Sequence, residues 1–393
     1  MPETLPYNPR EQRRESGDMP AAESVFNGVY QSFADTAKNA PKERNRFIDG
    51  REQMVKVNPV LEFVQARFED AAKTIEPLAG QPMRPSDVNE KFMNEATIEA
   101  KKVYDGNPHA AGVRVERARR VVSSFTDRAS AMFANGETDG LTVKLFFDRL
   151  EGIKYGLSLG YNRLVTKNDE ANPSQEEQQK YAQSVNAMLI GRPNVEEQKN
   201  GTFLHVNGQR HLASGSSVHE RYYISPKLNG RPGDVVRTWM ETLDSMGLED
   251  ELYFKVAEGL SRRYDTLIAY ATPETASDME RAVQEFARRC DPELLSDTAI
   301  PAGVEVAKGV ARAPEPDEVN TLLRYRGKEM VSYNEFACAL TELALRRASH
   351  DFRKQGVQPD QVTRRALSEA AKPYFVQFVK LSGLDPTTMK SAA

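Results

Sequence analysis

Cysteine, histidine and tryptophan are scarce in this sequence. The 393 residues include two cysteines, five histidines and one tryptophan. Cys290 and Cys338 are too few for a disulfide framework or a thiolate metal site, so we interpret both as ordinary buried thiols of a reducing compartment. His205, His211 and His219 lie close together in the sequence, but their spacing fits no regular metal-ligand pattern. The sequence therefore predicts no metal and no cofactor.

Long apolar runs are also missing. No stretch approaches the roughly 20 uncharged apolar residues that a membrane-spanning helix needs, and residues 1–20 lack the apolar core of a secretory signal. A net charge of −4 and a pI near 5.9 give no general attraction for nucleic acid. We therefore expect a cytoplasmic protein with neither a membrane nor a nucleic acid as its partner.

Several common catalytic motifs are absent. The sequence has no GxxxxGK[ST] phosphate loop, no GxGxxG after a strand, no HExxH and no GxSxG nucleophile elbow. These absences remove most of the support for a nucleotide-dependent enzyme, a zinc protease or a serine hydrolase.

The length favours two domains, or one domain with a long helical extension. We predict an α+β protein with a disordered tail at 1–20, a helical domain at 21–195, an α+β domain at 200–350, and a C-terminal helix and tail at 351–393. Apolar residues three and four apart predict the helices of the first half, at 51–76, 86–104, 111–134, 141–165 and 174–190.

The α+β domain has the predicted order strand, helix, strand, strand, helix. The three strands are expected at 218–226, 252–257 and 265–271, and the last two are expected to pair antiparallel. Two amphipathic helices are expected at 234–247 and 277–290. Further helices are expected after Ser332, which forms a capping box with Glu335, and at 360–381.

Side chains alternate between the two faces of a strand, so parity assigns each residue to a face. Leu252, Phe254 and Val256 form a natural core set, which leaves Lys255 on the opposite face. The same argument places Arg221 and Tyr223 opposite the core.

Together with Arg262 and Arg263 of the adjacent connection, these residues form a cationic, hydroxyl-bearing surface. Guanidinium groups grip phosphate oxygens in a bidentate way, and a lysine adds a point charge. The alternative is the ordinary polar face of a half-solvated antiparallel sheet.

Two segments then resemble a known family. ERYYISPK (220–227) and KVAEGLSRRYDTLIAYAT (255–272), separated by a helix, resemble the C-terminal domain of the HopA-type type III effectors of plant-pathogenic bacteria. DTAIPAGVEVAKGVA and VSYNEF (331–336) are similar to later segments of that family. The resemblance covers about 215–350, and a polar start to the chain would suit a type III secretion signal.

The resemblance extends to phosphothreonine and phosphoserine lyases, which remove phosphate by β-elimination without metal or cofactor. It implies that Lys255 is the base that takes the Cα proton, and that Arg221 and one of Arg262 and Arg263 hold the phosphate. The histidine that protonates the leaving phosphate in those lyases falls at Tyr223 here. His219 lies on the same strand face by parity and is a candidate replacement.

Three hypotheses follow from the sequence. The first is a HopA-like phospho-Ser/Thr lyase acting on a phosphorylated peptide or protein. The second is a non-catalytic effector or binding module that holds a phosphorylated or acidic partner. The third is a structural protein without a phosphate site. A kinase or a secretion chaperone is the expected further partner, and an effector would be injected from the bacterial cytoplasm into a host cell.

Overall fold

The computed structural model describes residues 21–36, 43–48, 51–56, 84–149, 164–167, 170–197, 202–210, 218–358 and 361–390. The helices are α1 (Ala21–Thr36), α2 (Pro85–Val103), α3 (Pro108–Ala134), α4 (Gly140–Arg149), α5 (Gln175–Leu189), α6 (Pro232–Ser245), α7 (Ala276–Arg289), α8 (Asp317–Tyr325), α9 (Tyr333–Lys354) and α10 (Arg364–Leu381). The strands are β1 (Glu43–Ile48), β2 (Arg51–Lys56), β3 (Val195–Glu197), β4 (Phe203–Val206), β5 (Glu220–Ile224), β6 (Tyr253–Ala257), β7 (Leu267–Ala271), β8 (Val304–Ala307) and β9 (Val310–Pro314).

The centre of the fold is a seven-stranded antiparallel sheet in the order β3-β4-β6-β7-β5-β9-β8. The predicted α+β class is confirmed. The predicted succession of strand, helix, strand, strand and helix corresponds to β5, α6, β6, β7 and α7, and β6 pairs antiparallel with β7 as expected. The short strands β3, β4, β8 and β9 extend this sheet on both sides.

One face of the sheet forms an apolar core with α6 and α7. Phe254 and Val256 of β6 lie in this core, and so do Tyr222 and Ile224 of β5. The alternation of the strands predicts these inward positions, because successive side chains point to opposite faces. Trp239 of α6 anchors the layer, with its ring edge-on to Phe254 at a centroid distance of 6.0 Å.

The opposite face is covered over part of its width by a second helical layer. Tyr223, Ile268 and Tyr270 share a core with residues of α1, α3, α9 and α10. The sequence predicts an open cationic surface here, but Tyr223 is only 2% exposed. The difference arises because the apolar faces of these amphipathic helices pack on this face and exclude water. The division into 21–195, 200–350 and 351–393 stays a prediction.

Over its described residues, the first half departs from the sequence interpretation at 51–56, and residues 150–163 of the helix predicted at 141–165 lie outside them. Residues 43–48 and 51–56 form the antiparallel hairpin β1–β2, so the helix predicted from residue 51 is wrong over 51–56. The rest of that predicted helix, the predicted tail at 1–20 and His211 lie outside the described residues. No helix within the described ranges is both long enough and apolar enough to cross a membrane.

Candidate functional site

Lys255 lies on β6, at the border between the buried and the exposed parts of the second sheet face. Its neighbours across the sheet are His205 on β4 and Ile268 on β7. Its side chain is partly buried, whereas Phe254 and Val256 on either side of it are fully buried on the other face. The strand therefore presents Lys255 away from the α6–α7 core, as parity predicts.

Aromatic rings surround the Lys255 amine. Its Nζ lies 4.1 Å from the ring centroid of Phe203 and 5.9 Å from that of Tyr270. The Tyr270 ring is in turn stacked on Tyr253 at 4.7 Å. These rings replace water around the amine on two sides.

The environment of Lys255 favours the neutral amine. Burial lowers the pKa of Lys255 to about 8, and the positive charges of Arg221 and Arg263 contribute to the lowering against the opposite effect of Asp265. The cation–π contact with Phe203 acts in the opposite direction, because it favours the charged amine.

Arg221 is held by a carboxylate. Its Nε and Nη2 atoms both donate to Glu315, with 2.6 Å between Nη2 and Oε1. The side chains of Arg221 and Glu315 are 19% and 10% exposed. The guanidinium also lies over the Tyr270 ring, 5.3 Å from its centroid. Arg221 thus has a fixed orientation and a charge partner on the same sheet face as Lys255.

The two arginines of the β6–β7 connection have different partners. Arg263 donates from Nε and Nη2 to the carboxylate of Asp265 at 2.7 Å each. Arg262 donates from Nε and Nη2 to the backbone oxygen of Lys167, at 3.0 and 2.9 Å. Arg263 is the member of the pair whose charge acts on Lys255.

Tyr223 is fully buried and level with Lys255. Both residues pair with Ile268 of β7, from opposite sides of that strand. Burial raises the pKa of Tyr223 to about 12, although Arg221 opposes the increase. At this position a phenol is an even weaker acid than an exposed tyrosine.

His219 lies far from Lys255 along the sheet. It comes just before β5, and its backbone oxygen accepts from Glu315 N. It precedes Tyr223, the β5 residue level with Lys255, by four positions. Since a strand advances about 3.3 Å per residue, His219 is displaced by about 13 Å along the strand direction.

His205 is the residue of this site that the sequence argument missed. Its Nδ1 lies 2.7 Å from the hydroxyl oxygen of Tyr253. Burial lowers the pKa of His205, and Lys255 lowers it further against the opposite effect of Glu196. From the sequence alone, metal binding is the one role weighed for His205. Within the described part of the chain, no group of three His, Cys, Asp or Glu side chains is arranged to hold a metal ion.

We expect the substitution Lys255→Met to stabilise the protein at pH 7. The folded state binds the Lys255 proton with a pKa of about 8, and the unfolded state with a pKa of about 10.4. Between these values the unfolded state binds more protons, so the contribution of Lys255 to stability rises with pH and is least favourable below pH 8. Urea unfolding at pH 7 and pH 9.5 measures this difference.

The control for this experiment is Lys308→Met. Lys308 forms surface ion pairs with Glu293 and Asp297 and has no comparable burial. Its replacement is expected to give no gain at pH 7. A Lys255→Met protein that is less stable than wild type at pH 7 would show that the buried charge of Lys255 does not destabilise the fold. A gain in stability that does not shrink at pH 9.5 would show the same.

Comparisons with known proteins find weak structural similarity and no match in sequence. No protein-family profile and no curated protein sequence matches the chain. Similar solved structures include an effector protein from Pseudomonas syringae pv. tomato strain DC3000, with a TM-score of 0.31 and 13% identity over 56% of this chain and 95% of that one. Another is an effector protein from Pseudomonas syringae pv. syringae strain 61, with a TM-score of 0.33 and 13% identity over 62% and 96%.

These weak structural neighbours are effector proteins. TM-scores of 0.31 and 0.33 carry no conclusion about fold or activity. The HopA-type relation, the lyase relation and delivery into a host cell stay predictions from the sequence. The function has to be inferred from the geometry around Lys255.

Proposed function

We propose that the protein is a phospho-Ser/Thr lyase that eliminates phosphate from a peptide or protein and leaves a dehydroamino acid. The observation that carries the proposal is the environment of Lys255, a partly buried amine whose pKa is lowered to about 8 beside Arg221 and Arg263. A lowered lysine pKa in a polar site of this kind is typical of catalytic groups.

Lys255 is the proposed base. Its neutral amine takes the proton from Cα of the phosphorylated residue, and the electron pair of that bond forms the double bond between Cα and Cβ. The bond from Cβ to the phosphate oxygen breaks, and the phosphate leaves with that electron pair. A lysine with an ordinary pKa of about 10.4 would be almost entirely protonated at neutral pH, so the lowering to about 8 makes the step accessible.

Arg221 and Arg263 are the proposed phosphate ligands. A guanidinium has five N–H groups, and each of these arginines gives two of them to its carboxylate. The carboxylates of Glu315 and Asp265 fix the direction of the guanidinium planes, and charge-assisted contacts to phosphate are strong. Arg263 is the better ligand of the pair, because its charge acts on Lys255.

The reaction needs only an acid and a base. One proton and one leaving group move, and nothing is oxidised or reduced, so no cofactor is expected for the chemistry. The substrate has to come from a phosphoryl transfer, which keeps a kinase as the predicted partner.

The proposal is tested by the mass of a phosphothreonine peptide after incubation with the protein. Elimination is expected to lower the mass by about 98 Da, one phosphoric acid, whereas hydrolysis by a phosphatase would lower it by about 80 Da. The unphosphorylated peptide serves as the control and is expected to keep its mass. An unchanged phosphopeptide at high protein concentration would contradict the lyase.

A second candidate is a module that binds phosphate without turnover. Tyr223 favours it, because the residue at the position of the lyase histidine is a buried phenol with its pKa raised to about 12. A phosphopeptide that binds more tightly than its unphosphorylated form, yet keeps its mass, would support this candidate.

A further inference from the structure

The proposed elimination leaves one chemical role unassigned. The phosphate ester oxygen becomes a strongly basic phosphate oxygen as the bond to Cβ breaks, unless an acid protonates it. Tyr223 is a poor acid because it is buried with a raised pKa. His219 is displaced by about 13 Å along the strands from the level of Lys255. Another group is required close to Lys255.

His205 is the histidine next to Lys255. The two residues are direct partners in the antiparallel pairing of β4 with β6. The Cβ atoms of such a pair are about 4.5–5.5 Å apart on the same face of the sheet. The charge of the Lys255 amine acts on the His205 ring, so a leaving group held beside the amine lies near the ring.

One nitrogen of the His205 ring fixes its orientation, and the other nitrogen is left without a hydrogen-bond partner. Nδ1 lies 2.7 Å from the Tyr253 hydroxyl oxygen, and the Tyr253 ring is held by its stacking on Tyr270. The Nε2 atom is buried and has no hydrogen-bond partner among the residues that the structure describes. A buried polar atom without a partner is unfavourable unless a bound group satisfies it.

We propose that His205 is the acid that protonates the departing phosphate oxygen, a role that rests on the proposed elimination. As an imidazolium, its Nδ1–H donates to the Tyr253 hydroxyl oxygen, and its Nε2–H points to the ester oxygen. The proton on Nε2 passes to that oxygen as the bond to Cβ breaks. The products are hydrogen phosphate, neutral His205, protonated Lys255 and the dehydroamino acid, and the two side chains then exchange one proton each with solvent.

The reactive state of Lys255 favours the charged form of His205. Lys255 is the positive group that faces the ring, and Glu196 is the negative one. When Lys255 is neutral, as the base has to be, its opposition to the imidazolium is absent and the effect of Glu196 remains. Tyr253 accepts a hydrogen bond from the charged ring as readily as it donates one to the neutral ring.

The experiment compares two peptides that differ only in the leaving group. One contains phosphothreonine, and the other contains sulfothreonine at the same position. Sulfate resembles phosphate in shape and binds guanidinium groups, but it is a much weaker base and leaves without a proton. His205→Gln is expected to slow phosphate elimination by about 10²-fold or more and to leave sulfate elimination within a few-fold of wild type. Lys255→Met is expected to slow both reactions by about 10²–10⁴-fold.

Each other outcome contradicts the proposal in a distinguishable way. Equal slowing of both peptides by His205→Gln would indicate a structural role for the ring, and slowing of neither would show that the ring takes no part. If His219→Gln, and not His205→Gln, slows phosphate elimination and spares sulfate elimination, the acid is His219. If wild-type protein eliminates neither group, the proposed function itself fails, and the role of His205 fails with it.

Discussion

The substitution Lys255→Met is expected to lower the rate of phosphate elimination by about 10²–10⁴-fold, the usual contribution of a positioned base. Methionine keeps a long, flexible stem in β6 but has no amine to take the Cα proton. The affinity for the phosphopeptide is expected to change much less, because Arg221 and Arg263 carry most of the phosphate contact in the proposal. Single-turnover kinetics followed by mass spectrometry measure the rate, and peptide titration measures the affinity.

Lys255→Arg is the matched variant for this prediction. An arginine keeps the positive charge beside the phosphate but does not lose its proton in proteins, so it cannot serve as the base. We expect it to bind the phosphopeptide and to be as inactive as Lys255→Met. Elimination by either variant at a rate near that of wild type would exclude Lys255 as the base.

The sequence predicts the location of Lys255 well, because the argument is local. Alternation along a strand depends only on the period of two, and the apolar set of Phe254 and Val256 identifies the inner face of β6 without knowledge of the rest of the sheet. The helix start at Ser332 is local in the same way. Its capping box with Glu335 is confirmed, since each residue's side chain accepts from the other's backbone N–H.

The sequence does not predict what lies beside Lys255. His205 becomes its neighbour only through the pairing of β4 with β6, and β4 has four residues, too short for a clear periodic signal. Glu315 reaches Arg221 across 94 positions of the chain. Such contacts depend on the strand order, and no residue pattern in either segment determines it.

The burial of Tyr223 on the second sheet face also depends on residues that are distant in sequence. Tyr223 alternates with Tyr222, so parity gives opposite faces to two residues of the same type. Whether the second face meets water depends on helices that are distant in sequence, and α9 and α10 are apolar enough to cover it. An interpretation from one strand alone therefore identifies the face and misses its burial.

Arg221→Ala is expected to lower the free energy of unfolding by about 3–5 kcal/mol, the usual cost of removing one partner of a buried ion pair. The change leaves the Glu315 carboxylate, which is 10% exposed, without its bidentate partner. It also removes the guanidinium from the Tyr270 ring. Urea unfolding at pH 7 measures the loss. The control is Arg288→Ala, because Arg288 is 71% exposed in its pair with Glu285 and its replacement is expected to change the free energy of unfolding little. Equal losses in the two variants would contradict a buried pair.

The double variant Arg221→Leu with Glu315→Leu separates the structural role of Arg221 from the proposed phosphate contact. Removing both charges leaves neither one buried and unpaired, so the double variant is expected to recover most of the stability that Arg221→Ala loses. If Arg221 only supports the fold, recovery of stability has to bring recovery of phosphate elimination. The proposed phosphate contact predicts a stable protein that still binds phosphopeptide at least about tenfold more weakly, since one charge-assisted hydrogen bond contributes about 1.5–3 kcal/mol. A stable double variant with wild-type affinity and rate would assign Glu315 and Arg221 to the fold alone and leave Arg263 as the phosphate ligand.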